Sequence, residues 1–169
     1  SWALFRCNNP DYYYVMGGQG PFGFDCSGFA IHAYKDGANV DTHNASDTSN
    51  MVSELTRDGV FRALPFDYNT AMRGDIFMWD GSGYDGHACI YLGNGQICHA
   101  ANSTIGIVGP VNYYPNNYQY MIRLNTGSLQ YWDYSYSQTL WNYANSIIQN
   151  DYGTAGLLGN LYEESCHDP

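Results

Sequence analysis

The sequence predicts an α+β fold in which early helices pack on one face of a curled antiparallel sheet of about six strands. Three observations predict it. Apolar residues recur at helical spacing in the first third of the chain. From residue 60 the pattern changes to short apolar runs of strand length. Gly, Asn and Pro turns separate those runs, and no long crossover lies between them.

The elements follow in order. Residues 2–8, WALFRCN, open the chain with a short helix. PDYYYVMGGQGPFGF is turn-rich, with paired glycines and a proline. Residues 27–35 carry Phe29, Ala30, Ala33 and Tyr34 at helical spacing, and KDG stops them. SDTSNMVSELTRDG reads as a second helix, with Ser46 as N-cap and Met51, Val52 and Leu55 as its apolar stripe. Six strand-like segments come next: VFRALPF, GDIFMW, GHACIYL, GQICHA, IGIVGPV and YQYMIRL. Residues 125–134 read as a linker. Residues 136–150 return to a helical stripe of Leu140, Trp141, Ala144, Ile147 and Ile148, and GTAGLLGNLYEESCHDP starts another apolar helix. The organisation expected is a domain over 1–124, a linker over 125–134 and a helical segment over 135–169.

Composition narrows the function. The chain has 169 residues, 44% hydrophobic and 17% aromatic, which is globular rather than disordered. Its net charge is −10 with only six Lys and Arg, so phosphate-rich nucleic acid is not an expected partner, and anionic surfaces are disfavoured by the same repulsion. No apolar run approaches the roughly 18 residues of a membrane span, so no membrane partner is expected. No leader is visible, and the first residue is Ser1 rather than Met, so a trimmed chain is expected. The five cysteines form no CxxC pair. An odd count leaves at least one thiol free, which favours synthesis in a reducing compartment over a disulfide framework or a zinc site. Asp67, Asp80 and Asp85 lack the spacing of a calcium loop, so no metal is expected.

GPFGFDCSGFAIHAY holds the first candidate for chemistry. Cys26 stands at the start of the 27–35 helix, where unpaired N–H groups and the helix dipole favour a thiolate. Ser27 and Gly28 are small and leave the sulfur approachable. The plain alternative is a buried cysteine acting as a small hydrophobe. Residues 86–101, GHACIYLGNGQICHAA, read as a hairpin with two histidines. If Gly93, Asn94 and Gly95 form a three-residue loop, Cys89 faces His99, and His87 falls on the same side of the sheet. A two-residue Asn94–Gly95 loop would turn His99 to the other face. A shared site therefore predicts the three-residue loop or a bulge. In that register His87 serves Cys26 as base and then acid, and His99 orients His87 through its other ring nitrogen. Satisfied sheet histidines, or ligands of a metal lacking its third ligand, are the plain alternatives here. Cys89 shares the His87 face, and Cys98 points the other way.

YVMGGQGPFGFDCSGF, RGDIFMW and GHACIYLGNGQICHA, in this order over residues 1–124, resemble the NlpC-type, papain-like cell-wall cysteine peptidases. The resemblance implies Cys26 as nucleophile, His87 as general base and His99 as the third, orienting residue. It also places Tyr14 near the nucleophile as an oxyanion aid, with the N–H of Cys26 or Ser27 as a further donor and Asp25 in local hydrogen bonding. The implied substrate is peptidoglycan, cut at an amide bond of the stem peptide with no metal or organic cofactor. An N-acetylmuramoyl-L-alanine amidase with the same triad is the alternative, and a catalytically silent wall-binding module is the alternative from another class. An acyltransferase on a related fold is a third. Residues 80–86 form an inserted loop bordering the cleft. GTAGLLGNLYEES resembles the opening of the lysozyme-like domain of multidomain phage lysins and tail proteins, with Glu164 in the place of the general acid. The resulting expectation is a phage lysin or tail-associated module, made in the bacterial cytoplasm and acting at the wall, with further domains in a longer chain.

Overall fold

The structure is a computed structural model that describes residues 2–81 and 86–125. Among the described residues there are three α-helices, α1 (Trp2–Arg6), α2 (Cys26–Lys35) and α3 (Met51–Leu55), and a 3-10 turn over Tyr68–Thr70. β1 (Tyr13–Tyr14) and β2 (Gly23–Phe24) form a small parallel pair. β3 (Phe61–Pro65), β4 (Ile76–Trp79), β5 (His87–Gly93), β6 (Gln96–Asn102), β7 (Gly106–Asn112) and β8 (Tyr120–Leu124) form one antiparallel sheet in the order β3-β8-β4-β5-β6-β7. The mixed α+β architecture and the six strands are those expected from the sequence. The linker, the 136–150 helix and the terminal segment with Glu164 lie outside the described residues, as does Asp85 of the 80–86 loop.

The sheet buries both faces. On β4 and β5 the even-numbered side chains Ile76, Met78, Ala88 and Ile90 join Phe24, Phe29 and Ile31 in the core beneath α2. The odd-numbered Phe77, Cys89 and Tyr91 face a second core with Ile97, Tyr118 and Met121. Aromatic residues from strand ends and connections cover that second face: Phe66 packs edge-on against Phe77, and Tyr68 stacks on Tyr113. This explains why the strands read as near-continuous apolar runs rather than strict alternation.

One element differs from expectation. The second helix is one short turn and a half, Met51–Leu55, with Asn50 and not Ser46 at its start. Asp47 Oδ1 accepts the N–H groups of Ser49 and Asn50, and the Asn50 side chain accepts from Ser46 N–H while donating to the Asn44 carbonyl. These short polar side chains bond the backbone locally in a turn and so displace the first helical turn. Beyond Leu55 the helix ends at Thr56, and Gly59 adopts φ +79° ahead of β3.

The hairpin between β5 and β6 takes the second of the two forms that a shared site predicts, a two-residue Asn94–Gly95 turn with a bulge in place of the three-residue loop. Gly93 pairs with Gln96, yet Tyr91 pairs with Ile97 and Ile90 with Cys98. A bulge between Tyr91 and Gly93 restores the register that the shared-site reading required. Asn94 and Gly95 take φ of +51° and +72°, the left-handed conformation that an Asn-Gly hairpin turn uses.

Candidate active site

The start of α2 is built by Asp25. It caps the helix from an extended conformation: its Oδ1 accepts the Gly28 N–H at 2.7 Å and the Ser27 hydroxyl at 2.8 Å. Its Oδ2 accepts the Gly17 N–H at 2.9 Å, and its own N–H donates to the Gly18 carbonyl. One buried carboxylate thus ties the Gly17–Gly18 turn to the helix terminus. Gly28 is required by the same approach, because a Cβ there would lie 2.1 Å from the Gly18 carbonyl oxygen. Asp25 and Ser27 therefore shape the loop, and the Asp-Cys-Ser-Gly order is the chemistry of a cap.

Cys26 is the first residue of α2, with 8% of its surface exposed. Its thiol donates to the Gly86 carbonyl at 3.9 Å, so the sulfur lies against the entry of β5, beside the residue that precedes His87. The expected exposed, acidified thiol is corrected here. Burial is the largest influence and pushes the thiol up from its ordinary value. The Ala88, Ser27 and Cys26 N–H groups pull it down, and the Asp25 charge opposes them. The helix start is present, but desolvation outweighs it.

His87 opens β5 and His99 lies in β6, on the same face as Cys89 and Ile97. His87 Nε2 and His99 Nδ1 are 2.7 Å apart. Burial, and for His87 also the charge of His99, lowers both rings to about 4. Both are therefore neutral at pH 7, and one ring donates to the other. When His87 Nε2–H is the donor, its Nδ1 carries a free lone pair, and Nδ1 has no hydrogen-bond partner among the described residues.

Tyr14, on β1, is half-buried, and its hydroxyl lies 3.9 Å from Met16 Sδ. Burial, then the Cys26 and Asp25 charges, raise its phenol. Glu164 lies outside the described residues. Cys89 is fully buried and donates to the Tyr118 hydroxyl at 3.4 Å, so it belongs to the second core. Cys98 faces the opposite core. Among the described residues no group of three His, Cys, Asp or Glu converges as a metal site.

Sequence reasoning did not place two aromatic residues beside the histidines. Trp79 pairs with His87 across β4 and β5, its ring centroid 5.2 Å from the imidazole. Tyr114 lies beside His99, with centroids 6.2 Å apart. Together with Asn102 and Ile105, these residues and both histidines line a cleft of about 370 Å³. The signal for Trp79 was its place at the end of a strand facing a histidine-bearing strand, and it becomes visible only once the register is known.

A family model described as the NlpC/P60 family matches residues 11–139. The chain belongs to the NlpC/P60 family. Its NlpC/P60 match begins after α1 and runs past the expected domain end at 124. Among NlpC/P60 structures, the NlpC/p60 domain of the peptidoglycan hydrolase SagA is 27% identical with a TM-score of 0.51, over 72% of this chain and 92% of that one. The peptidoglycan hydrolase RipB of Mycobacterium tuberculosis is 27% identical with a TM-score of 0.43, over 59% of this chain and 44% of that one. Protein P54 of Enterococcus faecium is 33% identical over 102 residues, which are 60% of this chain and 18% of that protein. The chain therefore spans under a fifth of the length of this curated relative.

Proposed function

We propose that this chain is the catalytic module of a peptidoglycan hydrolase that cuts an amide bond of the stem peptide, with Cys26, His87 and His99 as its triad. The observation that carries the reading is the paired imidazoles at 2.7 Å beside a helix-start cysteine whose sulfur touches the strand bearing one of them. Membership of the NlpC/P60 family and the likeness to the SagA domain support it.

The chemistry follows from neutral partners. As the Cys26 sulfur attacks the amide carbon, its proton passes to His87 Nδ1, and the developing imidazolium is steadied by His99 through Nε2. The oxyanion forms near the Cys26 and Ser27 N–H groups and the Tyr14 hydroxyl. His87 then gives its proton to the leaving amine, and a thioester remains on Cys26. Water attacks that thioester with His87 as base, releasing a carboxylic acid and the free thiol. The cleft lined by Trp79, Asn102 and Tyr114 adjoins the imidazoles and so receives the leaving-amine side of the substrate.

Endopeptidase action is the proposed bond choice, and the wall after release from the cell is the proposed place of action. The phage-lysin or tail-protein setting, with a lysozyme-like domain to follow and Glu164 as its acid, rests on the GTAGLLGNLYEES stretch alone. Mass spectra of defined muropeptides after digestion test the bond. Cut stem peptides support the endopeptidase; whole stems freed from muramic acid indicate the amidase. Binding without any cleavage indicates a silent wall-binding module.

A further inference from the structure

We propose that Cys7 and Cys98 form a latent disulfide site, a buried dithiol that closes in an oxidising medium and staples the N-terminal helix to the strand carrying His99. The two thiols are 91 positions apart and serve no step of the proposed hydrolysis. Both are free and buried, Cys7 at 8% exposure and Cys98 at 0%.

Gly109 of β7 brings them together. A Cβ placed on Gly109 would lie 2.3 Å from Cys98 Cβ and 3.1 Å from Cys7 Sγ. Both cysteines therefore reach into one space that only a glycine leaves open. Backbone contacts hold Cys7 there. The Asn8 N–H donates to the Ile107 carbonyl at 2.9 Å, and the Asn8 side chain donates to the Gly109 carbonyl at 2.8 Å. Cys98 is held by the sheet: Ile97 pairs with Val111 but His99 with Val108, so the extra residue of a bulge lies opposite Cys98, at Gly109 or Pro110. Contact with Cys7 also ranks first among the influences that raise the Cys98 thiol. Two fixed backbones and one shared gap bring the two sulfurs within reach of a bridge.

The reaction needs a disulfide donor, such as oxidised glutathione or a protein disulfide. The Cys7 thiolate, the more accessible of the two, attacks the donor and displaces one of its sulfurs as a thiol. The Cys98 sulfur then attacks Cys7, loses its proton and releases the second donor thiol. Two protein thiols are oxidised and one donor disulfide is reduced to two thiols. Because the bridge would close a long loop, it constrains the unfolded chain and raises the melting temperature.

The test incubates the intact chain with oxidised glutathione, alkylates the remaining thiols and digests with chymotrypsin. The aromatic residues place Cys7, Cys26, Cys89 and Cys98 on separate peptides. The expected result is a cross-linked pair of the Arg6–Tyr12 and Gly93–Tyr113 peptides, with a melting temperature raised by several degrees and returned by dithiothreitol. The Cys7→Ser variant should show neither the cross-link nor the shift. Free or glutathione-capped Cys7 beside an alkylated Cys98, after oxidation to completion of the more reactive thiols, would overturn the proposal. A cross-link with a lowered melting temperature would also overturn it, since the site would then not be built for closure.

Discussion

His87 Nε2 and His99 Nδ1 meet at 2.7 Å across neighbouring strands, although their backbones are brought into step only by a bulge after Tyr91. Burial keeps both rings neutral at pH 7, and in the proposed mechanism His99 accepts from His87 while His87 acts as base. His87→Ala should lower kcat by about 10²–10⁴-fold, the span of a positioned acid–base. His99→Ala should cost less, and His99→Asn, which keeps an acceptor, should recover part of that loss. Steady-state kinetics on a defined muropeptide read this. Equal loss in the Ala and Asn variants would remove the orienting role.

Acid should act on stability through the same two rings. Each folded-state value lies near 4, below the ordinary 6.5 of an unfolded chain. The unfolded state therefore binds more protons between those values. The stability this pair confers is complete above about 6.5 and is lost as pH falls toward about 4. Urea unfolding at pH 7.5 and pH 4.5 should show a steeper drop in the wild type than in the His87→Asn/His99→Asn double variant. Parallel slopes would contradict the burial assigned to these rings. The acid limb of kcat/KM should likewise fall near 4 rather than near 6.5, because the base must be neutral.

Asp25 is a structural residue in the cysteine motif. Its carboxylate satisfies the N–H groups of Gly17 and Gly28 and the Ser27 hydroxyl. Asp25→Ala should destabilise the fold by about 1–3 kcal/mol, the cost of a lost cap together with unpaired buried donors. Thermal and denaturant melts measure it. Asp25→Asn, which keeps one acceptor, should cost less.

A second carboxylate, outside the site, carries a larger load. Asp75 is 1% exposed, and both its oxygens take 2.7 Å bonds from the Arg123 guanidinium, joining the entry of β4 to β8. Asp75→Ala removes the carboxylate from that cation, which keeps its bond to the Thr70 carbonyl, and should cost about 3–5 kcal/mol. Denaturant midpoints give the loss. A near-silent substitution would mean that water replaces the carboxylate.

Much of this was legible in the sequence, and the reasons differ by element. The six strands were bounded by Gly, Asn and Pro, and hydrophobic period alone located them. The Asp-Cys-Ser-Gly order announced a helix start, since capping is local chemistry. The hairpin register was legible, but the choice between its two forms was not, because a bulge and a longer loop give the same pairing of Ile90 with Cys98. The second helix was overextended because Asp47 and Asn50 compete for the backbone through side-chain bonds that periodicity does not register. The acidity of Cys26 was misjudged for another reason. A helix start is visible in sequence, but the burial that opposes it exists only in the folded chain, where the sulfur lies against the Gly86 carbonyl, sixty positions away. The meeting of Cys7 with Cys98 was hidden for the same cause, since Gly109 supplies its space from a third element.

The most direct measurement of the catalytic claim is turnover of a defined muropeptide by Cys26→Ala beside the wild type, each checked for folding by its melting curve. The account predicts no amide cleavage by the variant, with a melt shifted by about 1 kcal/mol or less for the loss of one sulfur atom. Cleavage by a folded Cys26→Ala protein at a rate comparable to wild type would contradict it.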